Sequence, residues 1–510
     1  MTNKGEVRIT LLPLGESFTM PAGSPLADHL FSRGIEFPCG GRGRCRGCRV
    51  RVISGNLAET QSDSLMLTQP ELADGWRMSC QARPVSDLSI ELRQWSALIL
   101  ADDTPFKFEP RHGFGIAVDI GTTTMAVQLM DLSSAKVLGT ETALNPQGVF
   151  GADLMSRIAA AADPGAVLKM RESVRNEVAG MIARLCRHLP PGEKIVRGAL
   201  VGNTAMHHLY LGFDVAPLAA YPFKADHLEG VELGGAELGW TGPASGARAW
   251  FLPNLGGFVG SDILAVIIAT RLYEGNGPAG GADLGTNGEL IVASGGKILV
   301  ASTAAGPAFE GARISQGMRA APGAIDRMTL DGGKVSAHVV GGGTPHGICG
   351  SGLVDAIACG LELGIIDPSG RLPAGEMRLR GDVRLVQQDI REVQLAKGAI
   401  AAGISILVRD MGLREEDLGV FHLAGAFGNN LDIANSQRIG LLPFAAGQIN
   451  SAGNAALLGA KMTLFIPDGG KALCGDIISR VRHVSLETSV DFQDLYAEKM
   501  TFPEKGGIEK

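Results

Sequence analysis

The chain contains no apolar run long enough to span a bilayer. Its longest bland stretch, Ile263 to Ala269, falls far short of the roughly 20 residues a spanning helix needs, so no membrane is expected as partner. The start, MTNKGEVRITLLPLG, lacks a long apolar run before a small-residue cleavage site, so a secretory leader is not expected and the cytoplasm is the expected location. An excess of positive charge is missing too: 46 basic against 53 acidic side chains give no electrostatic case for nucleic acid. Eight cysteines in 510 residues are too few for a disulfide framework. No GxxxxGK[ST] stretch occurs, which excludes a Walker-type phosphate loop. Glycine, by contrast, is abundant: 71 of 510 residues, about twice the usual share of roughly 7%. It follows no collagen period, so it is expected in tight turns and where backbone approaches a ligand. With 45% hydrophobic residues the chain is globular, and its length suits roughly two to four domains.

The cysteines divide the chain. Cys39, Cys45, Cys48 and Cys80 are grouped near the start, while Cys186, Cys349, Cys359 and Cys474 are scattered. The group reads Cys39-Gly-Gly-Arg-Gly-Arg-Cys45-Arg-Gly-Cys48, with Cys80 following from a separate segment. Three thiolates on a glycine-rich loop plus a distant fourth can wrap a small inorganic cluster, the glycines turning backbone N–H groups toward the sulfurs. Structural zinc usually takes two separated Cys-x2-Cys pairs, and only one such pair is present. Alternation at Val7, Ile9 and Leu11, a helix over Pro25 to Arg33 and another around Ser64 to Leu72 frame the loop. The whole resembles a β-grasp [2Fe–2S] ferredoxin with five residues between the first two cysteines, not the plant-type four. Arg42, Arg44, Arg46, Arg49 and Arg51 surround this loop. They read either as a solvated basic face or as a docking patch for an acidic redox partner, and positive charge there raises a cluster's potential.

From Gln94 to Gly113 periodicity lapses around Pro105 and Pro110, as in a linker. Then GIAVDIGTTTMAVQLMDL begins at Gly115: a strand to Asp119, a Gly-Thr turn and a returning strand. A near copy, GADLGTNGELIVAS, carries Asp283, Gly285, Thr286 and Asn287. Glycine lets N–H groups meet phosphate oxygens, threonine hydroxyls add donors, and the aspartate can hold Mg²⁺ or its waters. One such tip is ordinary turn chemistry. Two copies a lobe apart resemble the phosphate loops of the acetate and sugar kinase, heat-shock chaperone and actin superfamily (ASKHA). Three further stretches resemble that superfamily in order. Asn254 to Asp262 leads into a small-residue helix from Ile263 to Leu272, like its first connecting helix. Phe421 to Asn430 resembles its adenosine motif, with Gly425, Ala426 and Gly428 beside the purine and ribose. Gly453 to Met462 resembles its second connecting helix.

A ferredoxin domain fused to this duplicated fold resembles, over the whole chain, the reductive activators of corrinoid-dependent proteins. Asn145-Pro-Gln147, Gly151 to Ile158, Gly202 to His207, Ala304 to Gly311 and Gly347 to Gly352 look like that family's signatures. The resemblance implies an α/β with α+β architecture. A ferredoxin domain covers residues 1–93, a linker 94–113, a middle domain forming the first ASKHA lobe 114–275, a C-terminal ATPase domain 276–490 and a tail 491–510. It also implies an ATP-hydrolysing one-electron reductase that returns Co(II) corrinoids to Co(I). Cys39, Cys45, Cys48 and Cys80 would hold the [2Fe–2S] cluster. Asp119 and Asp283 would be catalytic with Mg²⁺, and Gly121, Thr122, Thr123, Gly285, Thr286, Asn287, Gly425, Ala426 and Gly428 would bind ATP. Implied partners are a corrinoid protein or cobalamin-dependent methyltransferase, an upstream small electron carrier or flavoprotein, and a second copy in a homodimer.

Other readings stand beside this one. An activator of the 2-hydroxyacyl-CoA dehydratase type would hold a [4Fe–4S] cluster between two copies, with Cys349 and Cys359 as candidates. Their spacing along an apolar helix reads rather as buried thiols. A redox-sensing ATP-binding module and a sugar kinase using Asp262 as its carboxylate are further alternatives. His207 and His208, among apolar neighbours, read as hydrogen-bonded core histidines, against a metal or cobalt ligand. Arg391 opens a helix, where it either is exposed or stacks on adenine.

Overall fold

In a computed structural model, residues 5–12, 16–31, 41, 43, 48–92, 104–151, 153–285 and 287–504 are described. Alternation is honoured at the start: Val7, Ile9 and Leu11 all turn inward along β1 (Glu6–Leu12). β1 pairs antiparallel with β2 (Glu16–Pro21), and α1 (Leu26–Phe31) follows. β3 (Arg49–Ser54) precedes α2 (Gln61–Met66) and α3 (Gln69–Ala73), then β4 (Trp76–Met78) and β5 (Leu88–Leu92). The sheet order is β2-β1-β5-β3-β4, with β1 and β5 parallel. The single helix expected around Ser64 to Leu72 is two. A capping box at Thr60 and Asp63 opens α2, and Leu67 leaves the helix in extended backbone.

Described linker residues are not loose. Phe106 and Phe108 pack edge-on against Phe465, at 5.3 and 5.1 Å between ring centroids, and Arg111 Nε donates to the Phe465 carbonyl at 2.6 Å.

The middle region carries β6 (Phe114–Ile120), β7 (Thr124–Asp131), β8 (Val137–Leu144), α4 (Leu154–Ala160) and α5 (Pro164–Leu185). It continues with β9 (Ile195–Gly202), α6 (Thr204–Leu211), β10 (Val231–Gly234), β11 (Arg248–Phe251) and α7 (Ser261–Thr270). β6, β7 and β8 run antiparallel; β9 adds parallel to β6, and β11 parallel to β9. Both faces of β7 are covered, so the alternating pattern through Met125, Val127 and Leu129 marks one face of a strand buried on two.

The same order recurs in the next lobe. β12 (Ala279–Leu284), β13 (Gly288–Ser294) and β14 (Lys297–Thr303) are antiparallel. An insertion follows, comprising β15 (Ala324–Asp331), β16 (Lys334–Val339), β17 (Gly347–Ile348), α8 (Gly350–Glu362), β18 (Glu376–Arg380) and β19 (Val383–Val386). After α9 (Gln387–Asp410), β20 (Val420–Ala424) adds parallel to β12. Next come α10 (Gly425–Gly428), α11 (Ile433–Arg438), β21 (Ile449–Ser451), parallel to β20, and α12 (Ala455–Phe465). The chain closes with α13 (Lys471–Arg480), β22 (Val481–His483) and α14 (Phe492–Met500). Residues 491–504, expected as a tail, instead pack on the C-terminal lobe: Gln394 Nε2 donates to the Met500 carbonyl at 3.0 Å, and Phe502 is buried.

Five strands of each sheet thus share one order, β11-β9-β6-β7-β8 and β21-β20-β12-β13-β14, with a helix after β11 and after β21, the duplicated ASKHA architecture; β10 and β22 add at opposite edges. Those helices, α7 and α12, are predominantly apolar and buried between the lobes. A Cβ on Gly459 would lie 2.0 Å from the Ala265 carbonyl oxygen, so the small-residue pattern serves a backbone-to-backbone crossing. Among the described residues, no helix is long and apolar enough to cross a membrane.

Candidate functional site

Four carboxylates converge where the two lobes face each other. Asp119 ends β6 and Asp283 ends β12, each at the tip of the same hairpin. Asp262 stands in the first turn of α7, and Glu289 lies directly opposite Asp283 in the β12–β13 register. All four are enclosed on most sides yet keep an accessible face, as cleft walls do. Burial pushes Asp283 up to about 6. Its charge then adds to the burial of the others, raising Asp119 to about 7, Asp262 to about 8 and Glu289 well above the usual carboxylate range. Asn454, at the start of α12, donates to Asp119 Oδ2 at 3.3 Å and partly opposes the rise. Among the described residues no three of these side chains are arranged to hold a metal ion directly, so a hydrated divalent cation held through its waters is the arrangement that fits these hard oxygen donors.

The phosphate-loop candidates form tight turns braced from outside. Gly121 sits where a Cβ would be 2.6 Å from the Thr124 carbonyl, so only glycine permits the turn. Asn145 Nδ2 donates to the Gly121 carbonyl, and Asn203 Nδ2 to Thr122 Oγ1, both at 2.8 Å. Thr123 accepts from the Asn145 amide through its carbonyl. In the second loop the Gly285 amide donates to the Asn287 carbonyl at 2.9 Å; Thr286 lies outside the described residues. Gly425, at φ +84°, has the position of a Cβ 2.5 Å from Asp283 Oδ1, so the expected adenosine motif starts against the carboxylate cluster. Ala426 and Gly428 complete the short helix α10.

The candidate cluster site is seen in part, since Cys39 and Cys45 lie outside the described residues. Cys48 and Cys80 are both buried, at 2% and 8% exposure, inside the ferredoxin core. Their segments are stitched together: Ser79 donates to the Cys48 carbonyl through its amide (3.2 Å) and hydroxyl (2.7 Å), and Gln81 Nε2 donates to the Gly41 carbonyl. Gly41 and Gly43 take positive φ, the curl expected of a loop around a cluster. Of the surrounding arginines, Arg49 pairs with Glu71 at 3.0 Å and Arg51 with Asp74 at 2.6 Å, so neither is a freely solvated charge.

Other candidates fall elsewhere. His207 and His208 are fully buried in α6, with Nδ1 atoms 3.4 Å apart. Burial pushes His207 down to about 3, so it stays neutral. Gly350 and Gly352 open α8 against neighbouring backbone: a Cβ on either would strike the Phe309 or Ile325 carbonyl, at 1.9 and 2.3 Å. Cys349 and Cys359 are buried, with the Cys359 thiol pushed up to about 11. Arg391 is exposed on α9 and sits beside Tyr496 of α14. Sequence reasoning misses Glu289, Asn145, Asn203 and Asn454 as site residues, although all four lie in stretches named above.

Fold and site together define a ferredoxin domain joined to a two-lobed ASKHA nucleotide fold. Residues 9–85 match the model of the 2Fe-2S iron-sulfur cluster binding domain, 114–275 that of the RACo middle region, and 281–508 that of the C-terminal ASKHA domain of RACo. The corrinoid activation enzyme RamQ of Eubacterium limosum is 34% identical over 440 residues, covering 79% of this chain and 72% of that protein. The [Co(II) methylated amine-specific corrinoid protein] reductase of Methanosarcina barkeri is 27% identical over 432 residues, covering 77% and 78%. A solved reductive activator for corrinoid, iron-sulfur protein superposes with a TM-score of 0.69 at 27% identity, covering 98% of this chain and 99% of that one. The chain belongs to this RACo family of corrinoid activators.

Proposed function

We propose that this chain is an ATP-hydrolysing reductase that passes one electron to an inactive Co(II) corrinoid on a partner protein and so restores Co(I). The observation that carries the reading is the match to corrinoid-activating relatives along most of the chain, with a cysteine-bearing ferredoxin domain and a carboxylate-lined cleft both present. Cys39, Cys45, Cys48 and Cys80 would hold a [2Fe–2S] cluster, which supplies the one-electron chemistry between an upstream carrier or flavoprotein and cobalt. Gly121, Thr122, Thr123, Gly285, Thr286 and Asn287 would clasp the ATP phosphates, and Gly425, Ala426 and Gly428 would border the adenosine. Asp119 and Asp283 would orient Mg²⁺ and its waters, with Asp262 and Glu289 completing the acidic wall. The partner is a corrinoid protein or cobalamin-dependent methyltransferase. Residues 1–93, 94–113, 114–275 and 276–490 serve as ferredoxin domain, linker, middle lobe and ATPase lobe, in a cytoplasmic enzyme that can pair as a homodimer.

Making Co(I) is uphill. A population shift of about 10⁴, about 5.5 kcal/mol, corresponds to about 240 mV for one electron, a scale that closing two lobes on ATP can supply. The test is anaerobic: the purified chain, a Co(II) corrinoid protein, a reductant and Mg-ATP, with Co(I) absorbance followed in time. Cys48→Ala should abolish Co(I) formation while nucleotide affinity stays within about twofold. Asp119→Ala should leave the cluster reducible but cut ATP-dependent Co(I) formation by about 10²-fold or more. Co(I) accumulating at full rate without ATP would overturn the coupling.

A further inference from the structure

The ferredoxin domain does not end at its own core. Met318, Ala321, Ala324 and Cys349 of the C-terminal insertion belong to the same buried apolar cluster as Ile9, Leu11, Met78 and Ile90. Arg49, the residue after Cys48, donates Nη2 to the Ser315 carbonyl at 2.9 Å while Nη1 pairs with Glu71. At the rim, His346 Nδ1 stands 3.7 Å from Glu91 Oε1.

The segment bearing this face begins at the nucleotide cleft. Phe309 stacks on Phe427 of α10, with centroids 4.5 Å apart and planes 14° from parallel. A Cβ on Gly285 would lie 3.7 Å from Glu310 Oε1, so Glu310 borders the second phosphate loop. Between these residues and Met318 the chain is closed on itself. A Cβ on Gly311 would strike the Met318 amide nitrogen and carbonyl at 2.8 and 2.6 Å, and one on Gly317 the Gly311 carbonyl at 2.0 Å. Such packing moves as a unit. A second brace runs from Ser315, which donates its amide and hydroxyl to Asp389, both at 2.6 Å, at the foot of α9. Further along that helix Ile400 presses on Gly288, the residue after the phosphate loop.

We infer that residues 307–318 are a lever: the second phosphate loop and α10 push on Phe309 and Glu310, and the face at Ser315, Met318 and Ala321 seats or releases this chain's own ferredoxin domain. The inference rests on the proposed function, which places nucleotide and cluster at the two ends. Reduction adds negative charge beside Cys48 and draws on Arg49, so the redox state biases the same docking contact. Linkage is then reciprocal: if nucleotide changes the seating, reduction changes nucleotide affinity by the factor through which nucleotide shifts the cluster potential.

The experiment titrates a non-hydrolysable ATP analogue into the intact iron-loaded protein by calorimetry, oxidised and then dithionite-reduced. Affinity should differ at least threefold between the two states, equivalent to about 28 mV in midpoint potential at 59 mV per tenfold. Ala321→Glu places a charge in the apolar face without removing a proposed ligand to cluster or nucleotide. It should bring the ratio to about one while cluster absorbance and oxidised-state affinity persist. Arg49→Gln should do the same and decides the matter should Ala321→Glu not fold. Equal affinities in the wild type, or a ratio preserved in either folded variant, would overturn the lever. Absence of cluster absorbance or of nucleotide binding in the wild type would instead remove the proposed function, and the lever with it.

Discussion

The two lobes are copies in topology and differ in how they treat the same hairpin. In the first, Asp119 faces Ala126 across the ladder; in the second, Asp283 faces Glu289. Residues opposite one another point to the same face, so the second lobe carries two acids where the first carries one. The bracing differs as well. Amides of Asn145 and Asn203 hold the first loop, whereas Ile400 packs against the base of the second and Gly425 abuts its aspartate. The first lobe is therefore a scaffold whose loop is positioned by hydrogen bonds. The second concentrates charge and, through its insertion, reaches the ferredoxin domain. Duplication accounts for the cleft, and the difference between the halves for its extra acid and for the contact with the ferredoxin domain.

The strongest way to break the comparison is to separate the halves at their shared seam. Gly459→Ala would put a methyl 2.0 Å from the Ala265 carbonyl, backbone that cannot swing aside as a side chain can. A loss of about 3 kcal/mol or more is expected, read as a lowered urea midpoint, with α7 and α12 forced apart. An unchanged midpoint would mean that the lobes do not depend on this crossing.

Making the second hairpin resemble the first is the next test. Glu289→Gln keeps the shape and removes one charge. It should cut ATP-dependent turnover by about 10²-fold, yet stabilise the ligand-free protein by relieving repulsion of Asp262 and Asp283. The pH profile gives the sign. Asp283, Asp119 and Asp262 titrate near 6, 7 and 8 in the folded protein, above the ordinary carboxylate range. The folded chain therefore holds protons that the unfolded chain has released, and stability falls as pH rises from about 4 to 8. The fall should exceed about 3 kcal/mol, since each tenfold gain in proton affinity on folding is worth about 1.4 kcal/mol and several carboxylates contribute. It should be shallower in Glu289→Gln and largely abolished by Mg²⁺ with ADP, as followed by melting temperature across pH. A profile that rises over that range would contradict the crowding.

These tests also mark where sequence reading stopped. Repetition of Asp-x-Gly-Thr marks Asp119 and Asp283 because the pattern is local, and the small residues of Ile263 to Leu272 point to a close crossing for the same reason. Glu289 is almost as local, but its role depends on strand register: a shift of one place would have turned it to the other face. Asn454 is far from Asp119 in sequence, and only the fold brings them together. The seat of the ferredoxin domain on Met318 and Ala321 left no periodic trace at all, because it is built from irregular chain closed by glycines at positions that tolerate nothing larger.

The smallest effect lies in the first loop, and it separates stability from binding. Asn203 does two things. Its Oδ1 accepts from the Met206 amide as the N-cap of α6, and its Nδ2 holds Thr122. Asn203→Ala should lose both, costing about 1 kcal/mol of stability for the cap and weakening nucleotide about fivefold for the tether. Asn203→Ser restores a hydroxyl suited to capping but too short to reach Thr122. Its urea midpoint should return to that of the wild type while the fivefold loss in nucleotide affinity remains, measured by calorimetry. If serine rescued affinity along with stability, the tether would be irrelevant. The first lobe would then position its loop by packing, as the second does, and the contrast between the two halves would reduce to the single acid at 289.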